Sequence, residues 1–327
     1  MKYRILGKTG YKVSEVSYGS WSLGADWGNV TEQDAIATLD KAIESGVIFI
    51  DTADVYGDGR SEKIIAKVLK TRKEKIIVAT KAGRRLNPHI TAGYTKENLE
   101  KFVERSRQNL QMDTLDLLQL HCPPTDVYYK PEIFDALQEM VVNKKIANYG
   151  VSVEKVEEAI KALQYPGVSA VQIIFNIFRQ RPAELFFDMA KKKNVGVIVR
   201  VPLASGLLTG KMTVQTTFAQ NDHRNYNREG KAFDLGETFA GVPYEKGLEA
   251  VEELKKILPK NYSLPQLALK WILMHEAVST VIPGGKRPEQ VESNVSASDM
   301  VDLPKDLMEK IKSIYVAHIK PLVHERW

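Results

Sequence analysis

The sequence has 327 residues, of which 43% are hydrophobic and 27% charged, and its formal net charge is +5. These values are typical of globular proteins and exclude a disordered, collagen-like or coiled-coil chain. We expect no nucleic-acid partner, since Lys and Arg form no dense block, and no membrane partner, since no apolar run approaches the ~18 residues of a span. The first ten residues lack an apolar signal-peptide core, and a single cysteine is consistent with a cytoplasmic protein.

Short apolar segments alternate with longer amphipathic segments along the chain. Eight of the short segments are predicted strands, namely Val16–Trp21, Ile48–Thr52, Ile76–Lys81, Leu115–His121, Ala147–Ser152, Ala170–Asn176, Gly196–Leu203 and Thr280–Pro283. Most are continuously apolar, which is typical of parallel strands buried on both faces. Residues such as Ile36, Leu39 and Ile43 recur at helical spacing between the strands. After the seventh strand, helices are predicted over Tyr244–Leu258, Leu264–His275 and Pro304–Tyr315.

This alternation predicts an α/β fold, a (β/α)8 TIM barrel that occupies residues 1–327 as a single domain. Tyr3–Leu6 and Lys12–Val16 form a predicted N-terminal hairpin, and the last predicted helix is an extra C-terminal one. The polar stretch Met212–Val242 forms a long loop after the seventh strand, a length usual for lids or disordered segments. An open doubly wound sheet is the alternative, but no G-x-G-x-x-G motif follows an early strand.

Four polar residues lie at or near the ends of successive predicted strands. Asp51, Lys81 and His121 close their strands, and Tyr56 follows Asp51 by five positions. Because all strands of a parallel barrel end on the same face, we expect these side chains to converge.

The four side chains suit protonation of an oxygen on which negative charge develops. A Tyr hydroxyl is a weak acid, and a nearby Lys ammonium would lower its pKa. An Asp would hold the Lys in place, and a His could donate to a carbonyl oxygen. Such protonation is half of carbonyl reduction. The other half is a hydride, which no side chain supplies, so a nicotinamide cofactor is implied.

These motifs resemble those of the aldo-keto reductases. Residues 49–53 with Tyr56-Gly57, Ala79-Thr80-Lys81 and residues 118–121 are similar to the segments that carry that family's catalytic Asp, Tyr, Lys and His. The similarity extends from residue 18 to residue 284. It implies the barrel fold and NADPH-dependent reduction of aldehydes or ketones, with Tyr56 as proton donor, Lys81 and Asp51 tuning it, and His121 orienting the carbonyl.

The resemblance also implies a set of NADP(H)-binding residues. Ser20, Trp21 and Asp51 would lie near the nicotinamide, and Ser152 and Gln172 would bind its carboxamide. The segment Pro202–Lys211 would wrap the pyrophosphate. For the 2′-phosphate and adenine, Lys286 and Arg287 before a predicted helix favour NADP(H) over NAD(H). The full set of predicted cofactor residues is Ser20, Trp21, Asp51, Ser152, Gln172, Arg200, Pro202, Leu203, Ala204, Gly206, Lys211, Gly284, Lys286, Gln290, Ser293 and Asn294.

Two positions depart from the family's pattern. Val153 stands where an Asn usually follows the Ser of the carboxamide site, so one amide ligand is lost. Arg200 stands where an aromatic residue usually stacks on the nicotinamide. A planar guanidinium can also stack, but its charge would repel the cationic oxidised ring. The sequence therefore predicts a bias toward NADPH and toward carbonyl reduction, and places the chain near the reductases that resemble potassium-channel β subunits.

Other functions remain open from the sequence. The family includes NADPH-binding regulatory subunits, so a binding protein with little turnover is the main alternative, and a non-redox barrel such as a lyase is another. The histidines lack the spacing of metal ligands, so no metal is expected. Trp27 could line the pocket, and Arg224 and Arg228 could contact cofactor or an acidic substrate. The carbonyl substrate and the oligomeric state are not specified by these patterns.

Overall fold

The structure, a computed structural model, describes residues 1–24 and 30–327. Eight parallel strands form one sheet in the spatial order of the chain, and two further strands form an antiparallel hairpin at the N-terminus. The hairpin strands are β1 (Tyr3–Ile5) and β2 (Lys12–Ser14). The sheet strands are β3 (Tyr18–Gly19), β4 (Phe49–Asp51), β5 (Ile77–Ala82), β6 (Leu117–His121), β7 (Tyr149–Ser152), β8 (Val168–Ile174), β9 (Gly196–Arg200) and β10 (Val278–Val281).

The sheet curls into a nearly closed barrel. Val16 and Gly19 form parallel bridges with Val281 and Gly284, so the first strand meets the last. The amide of Ser17 donates to the carbonyl of Val281 at 2.8 Å across this seam. The predicted (β/α)8 barrel with an N-terminal hairpin is therefore confirmed, and the doubly wound alternative is wrong.

Helices surround the strands and begin where the sequence supplies caps. The Thr31 side chain accepts from the Asp34 amide at 3.1 Å, and Ser263 forms a capping box with Gln266. The helices are α1 (Glu32–Glu44), α2 (Arg60–Leu69), α3 (Lys96–Leu110), α4 (Pro131–Val142), α5 (Val156–Ala162), α6 (Phe186–Lys192), α7 (His223–Tyr226), α8 (Tyr244–Ile257), α9 (Leu264–Leu273), α10 (Pro288–Val295), α11 (Lys305–Ile314) and α12 (Lys320–Val323). Among the described residues, no helix has both the length and the hydropathy of a membrane span.

The hairpin closes the end of the barrel at which the strands begin. Leu6 and Val13 are fully buried and pack with strand residues such as Phe49, Ile77 and Ile198 in one apolar cluster. Gly7, with a φ of 49°, lies so close to Gly196 that a Cβ would stand 2.2 Å from the Gly196 nitrogen. The hairpin is thus the floor of the barrel, and the opposite end, where the strands finish, is the open one.

Most predicted strand boundaries differ from the structure by one to three residues, and the differences with a clear cause lie in the first and seventh strands. The first predicted strand is cut to Tyr18–Gly19 because Trp21–Gly24 form a 3-10 turn, and the seventh ends at Arg200 because Val201 has a φ of 51°. The stretch 212–242 is not wholly irregular, since it contains α7 and two 3-10 turns at Leu235–Glu237 and Phe239–Gly241. The predicted C-terminal helix is present as α11 and continues through a π-helical turn into α12.

Candidate active site

Four predicted polar residues meet at the open end of the barrel. Asp51 ends β4, Lys81 lies in β5 and His121 ends β6, while Tyr56 lies in the turn between β4 and α2. The Lys81 ammonium donates to Asp51 Oδ2 at 2.5 Å, to the Thr52 carbonyl at 2.8 Å and to the Tyr56 hydroxyl at 3.3 Å. The rings of Tyr56 and His121 are 5.9 Å apart and nearly perpendicular. The phenol therefore has the ammonium on one side and the imidazole on another.

The second oxygen of Asp51 is held by two amides. Oδ1 accepts from Gln172 Nε2 at 2.7 Å and from Gln119 Nε2 at 3.2 Å. Gln172 is expected from the sequence as a carboxamide ligand, and in the structure its nitrogen donates to Asp51 instead. Gln119 is not expected. Its position two residues before His121 in a buried strand puts both side chains on the inward face, a signal that the sequence does contain.

Burial is the largest influence on the pKa values of Tyr56, Lys81 and His121. It raises the pKa of Tyr56 above its ordinary value, although the charge of Lys81 acts in the opposite direction. The lowering effect expected of Lys81 is present, but the cost of burying a phenolate exceeds the attraction of the ammonium, so the net change in the pKa is upward. Burial acts to lower the pKa of Lys81, but the contacts with Asp51 and Tyr56 together outweigh it and raise this pKa. Burial and the nearby cations Arg84 and Lys81 hold the pKa of His121 well below its usual value, so the imidazole is neutral at pH 7.

A cavity of about 510 Å³ opens beside these residues. Asp51, Tyr56 and His121 lie in its wall, whereas Lys81 is behind them. The wall contains most of the predicted cofactor residues, which are Trp21, Asp51, Gln172, Arg200, Pro202, Leu203, Gly206, Lys211, Gly284, Lys286, Gln290, Ser293 and Asn294. Ser20, Ser152 and Ala204 are fully buried and do not line it. Ser152 reaches it only through Gln172, whose Oε1 lies 3.5 Å from the Ser152 hydroxyl.

The part of the cavity formed by α10 and the long loop is cationic. Lys286 and Arg224 both line it, and the Arg224 charge acts with burial to lower the pKa of Lys286. Arg224 is paired with Asp222 at 2.6 Å, and its guanidinium together with the Lys286 ammonium suits a phosphate dianion. The Lys286 amide donates to Gln290 Oε1 at 2.7 Å, and Asn294 donates to the Gly284 carbonyl at 3.2 Å. The residues present thus fit a phosphorylated dinucleotide. Trp27 lies outside the described residues.

The two departures from the family pattern are in contact. Arg200 Nη2 donates to the carbonyl of Val153 at 3.1 Å and to Glu154 Oε2 at 2.9 Å. Arg200 Nη1 lies 3.4 Å from Glu237 Oε2, and Glu237 also pairs with Arg84 at 3.2 Å. We call Arg84, Glu154, Arg200 and Glu237 the mouth cluster. Sequence analysis missed its two glutamates and Arg84, since all three follow strand ends or lie in the polar loop and look solvated.

One group of candidate metal ligands occurs in the described part of the chain. Ligand atoms of Cys122, Glu154 and Glu237 lie within 4.8 Å of one another. Arg200 donates to both Glu154 and Cys122 Sγ, the latter at 3.5 Å. A guanidinium therefore already supplies the positive charge that a metal would bring.

Comparisons with known proteins identify the family. Residues 15–316 match the aldo/keto reductase family. The chain is 30% identical to the aldo-keto reductase YhdN of Bacillus subtilis over 90% of this chain and 87% of that protein. It is 27% identical to a probable voltage-gated potassium channel subunit beta of Oryza sativa over 96% of each. The holo form of aldo-keto reductase AKR11C1 from Bacillus halodurans superimposes with a TM-score of 0.77 at 29% identity, over 96% of each chain. The chain belongs to the aldo/keto reductase family of oxidoreductases.

Proposed function

We propose that the protein reduces aldehydes or ketones to alcohols with NADPH. The observation that carries the proposal is the chain of contacts from Asp51 through Lys81 to Tyr56 in the wall of a cavity that also contains Lys286. A bound nicotinamide would supply the hydride. Trp21, Gln172 and Arg200 would hold its ring, and Lys286, Gln290, Ser293 and Asn294 would hold the phosphorylated ribose and adenine.

Tyr56 is the proposed proton donor. Its raised pKa keeps the hydroxyl protonated at neutral pH. The ammonium of Lys81, 3.3 Å from the phenol oxygen, stabilises the negative charge that this oxygen gains as the proton leaves. Asp51 offsets the cost of burying Lys81 and fixes its position.

His121 has a different role. Its low pKa leaves the imidazole neutral, so it cannot deliver a proton as an imidazolium. A neutral imidazole can still donate one hydrogen bond, and His121 lines the cavity next to Tyr56. We infer that it orients the carbonyl oxygen toward the Tyr56 hydroxyl.

Turnover tests the proposed function. NADPH oxidation is followed by absorbance with a panel of small aldehydes and ketones, and with NADH in parallel. We expect carbonyl-dependent oxidation of NADPH, and slower oxidation of NADH. Similarity to a potassium channel β subunit makes a binding protein the second candidate, and tight NADPH binding without turnover on any carbonyl would favour it. Failure to bind NADPH would point to a barrel without redox function.

Replacing Lys286 with Gln is expected to separate the two cofactors. Loss of a charged contact to the 2′-phosphate should raise the NADPH dissociation constant about tenfold, the equivalent of about 1.4 kcal/mol. The NADH constant should change less than about twofold, because NADH has no such phosphate. Binding is measured by titration calorimetry, with Lys310→Gln on the surface of α11 as the control. An equal loss of affinity for NADPH and NADH would mean that Lys286 does not bind the 2′-phosphate.

A further inference from the structure

The mouth cluster encloses Arg200 between two carboxyl groups. The side chains of Arg200, Glu154 and Glu237 are all about nine-tenths buried, with 10%, 12% and 9% of their surfaces exposed. Glu154 follows β7, Arg200 ends β9 and Glu237 belongs to the long loop after β9, so three separate segments are joined. Arg200 lines the cavity and Glu237 does as well, whereas Glu154 stands behind them. A ligand in this part of the cavity would therefore interact with the summed charge of the mouth cluster rather than with Arg200 alone.

Glu154 and Glu237 do not share the same protonation state. No donor among the described residues reaches Glu154 Oε1, although this oxygen is buried. A carboxyl oxygen of Glu154 lies within 4.8 Å of one of Glu237, and two like charges at this distance disfavour ionisation of both groups. Burial raises the pKa of Glu154 to about 8, whereas Arg200 and Arg84 outweigh burial at Glu237 and lower its pKa to about 2. Burial thus favours the protonated form of Glu154, while the two arginines favour the ionised form of Glu237.

Other charged and titratable groups face Glu154 from each packed segment. Arg179 after β8 donates to the Glu154 backbone carbonyl. The remaining groups that face Glu154 are Arg200, Glu237, Asp234, Cys122, Arg84 and Tyr128. The pKa of Cys122 is raised far above neutrality, and that of Arg179 is about 10. Between pH 6.5 and 9, Glu154 is the member of this group whose charge changes.

We propose that Glu154 and Glu237 position Arg200 and set the charge that it presents to the cavity, so that this pair controls the discrimination between oxidised and reduced nicotinamide. The inference rests on the proposed function. Arg200 alone would repel the cationic ring of NADP+ and tolerate neutral NADPH. Glu237 cancels one positive charge permanently. When Glu154 loses its proton, a second negative charge appears beside Arg200, and NADP+ binding improves relative to NADPH.

The ratio of two dissociation constants tests this inference. NADP+ and NADPH are titrated by calorimetry between pH 6.5 and 9, and titration of the 2′-phosphate cancels because both carry it. As pH rises, the ratio of the NADP+ constant to the NADPH constant should fall about tenfold, the effect of one charge at short range in a protein-like dielectric. Glu154→Gln should hold the ratio at its low-pH value across the range. Glu157→Gln, an exposed neighbour in α5, should behave like the unaltered protein.

A second readout needs no cofactor. The Glu154 pKa is higher in the folded than in the unfolded chain, so the stability linked to its proton is complete below the usual Glu pKa and is lost as pH rises to about 8. Melting temperature should therefore fall as pH rises toward 8. Glu154→Gln should reduce this fall, and Asp54, whose pKa burial raises to about 7, accounts for the fall that remains. At pH 6.5, Glu237→Gln should raise the dissociation constant of NADP+ about tenfold more than that of NADPH. If the Glu237→Gln variant does not fold, the measurements on Glu154→Gln still test the inference.

The possible outcomes distinguish failure of this inference from failure of the proposed function. A pH-independent ratio in a protein that binds both dinucleotides overturns the inference alone. The inference also fails if Glu154→Gln retains the pH dependence of the ratio, or if Glu154→Gln lowers stability equally at every pH and leaves the ratio as it was, since that is a purely structural role. A protein that binds neither dinucleotide overturns the proposed function and this inference together.

Discussion

Replacing Tyr56 with Phe is expected to lower kcat for carbonyl reduction by about 10²–10⁴-fold, the usual contribution of a positioned general acid. The ring of Tyr56 would remain between Trp21 and His121, whose centroids lie 6.1 Å and 5.9 Å from its own. The substitution therefore removes the proton donor and little else. NADPH affinity should be retained, and single-turnover measurements with a fixed aldehyde give the rate of the chemical step.

A second Tyr→Phe substitution controls for the loss of a hydroxyl. Tyr165 donates to the Tyr128 carbonyl at 2.8 Å and stacks on Phe134, and it does not line the cavity. Tyr165→Phe should leave kcat unchanged while lowering stability by about 1 kcal/mol. If Tyr56→Phe retained more than a tenth of the activity, another group would have to protonate the carbonyl oxygen.

Replacing Lys81 with Met is expected to reduce the free energy of unfolding by about 3–5 kcal/mol, as for other buried ion pairs from which one partner is removed. Asp51 would keep its bonds from Gln172 and Gln119 but lose the one positive charge at 2.5 Å from its carboxylate. Urea unfolding followed by circular dichroism measures the loss. The folded-state pKa of Lys81 is raised, so the stability from this pair persists below pH 10 and should be equal at pH 6 and pH 9.

The double variant Lys81→Met with Asp51→Asn distinguishes charge from packing. Removal of the uncompensated carboxylate should restore part of the stability, since an amide at position 51 can still bond to the glutamines. Activity should remain absent in both variants, because the phenolate would have no ammonium beside it. A loss below about 1 kcal/mol in Lys81→Met would mean that the pair is effectively solvated, contrary to its burial.

The convergence of Asp51, Tyr56, Lys81 and His121 was accessible to sequence reasoning because the barrel topology does most of the positioning. Asp51, Lys81 and His121 follow apolar runs that end on one face of a parallel barrel, so their convergence requires only the fold. Their roles in catalysis stay predictions. The protonation of Tyr56 was not accessible in the same way, since it depends on how completely the phenol is buried relative to the strength of one ion pair.

The contacts within the mouth cluster could not be predicted from the sequence, because they join residues that are far apart in the chain. Glu237 lies in a polar stretch that looks solvated, and nothing adjacent to it in the chain indicates that Arg84 and Arg200 enclose it. The sequence did identify Val153 and Arg200 as departures. The sequence could not reveal that Arg200 donates to the Val153 carbonyl, because this contact forms only when β7 and β9 lie on either side of β8 in the barrel.

The sealed floor of the barrel has a consequence for engineering. Leu6 and Val13 pack where the strands begin, and the reacting groups lie where the strands finish. Substitutions at well-separated positions combine additively in free energy. The stability of the protein can therefore be increased by substitutions among the buried residues of the hairpin, and we expect these substitutions to leave the catalytic rate unchanged.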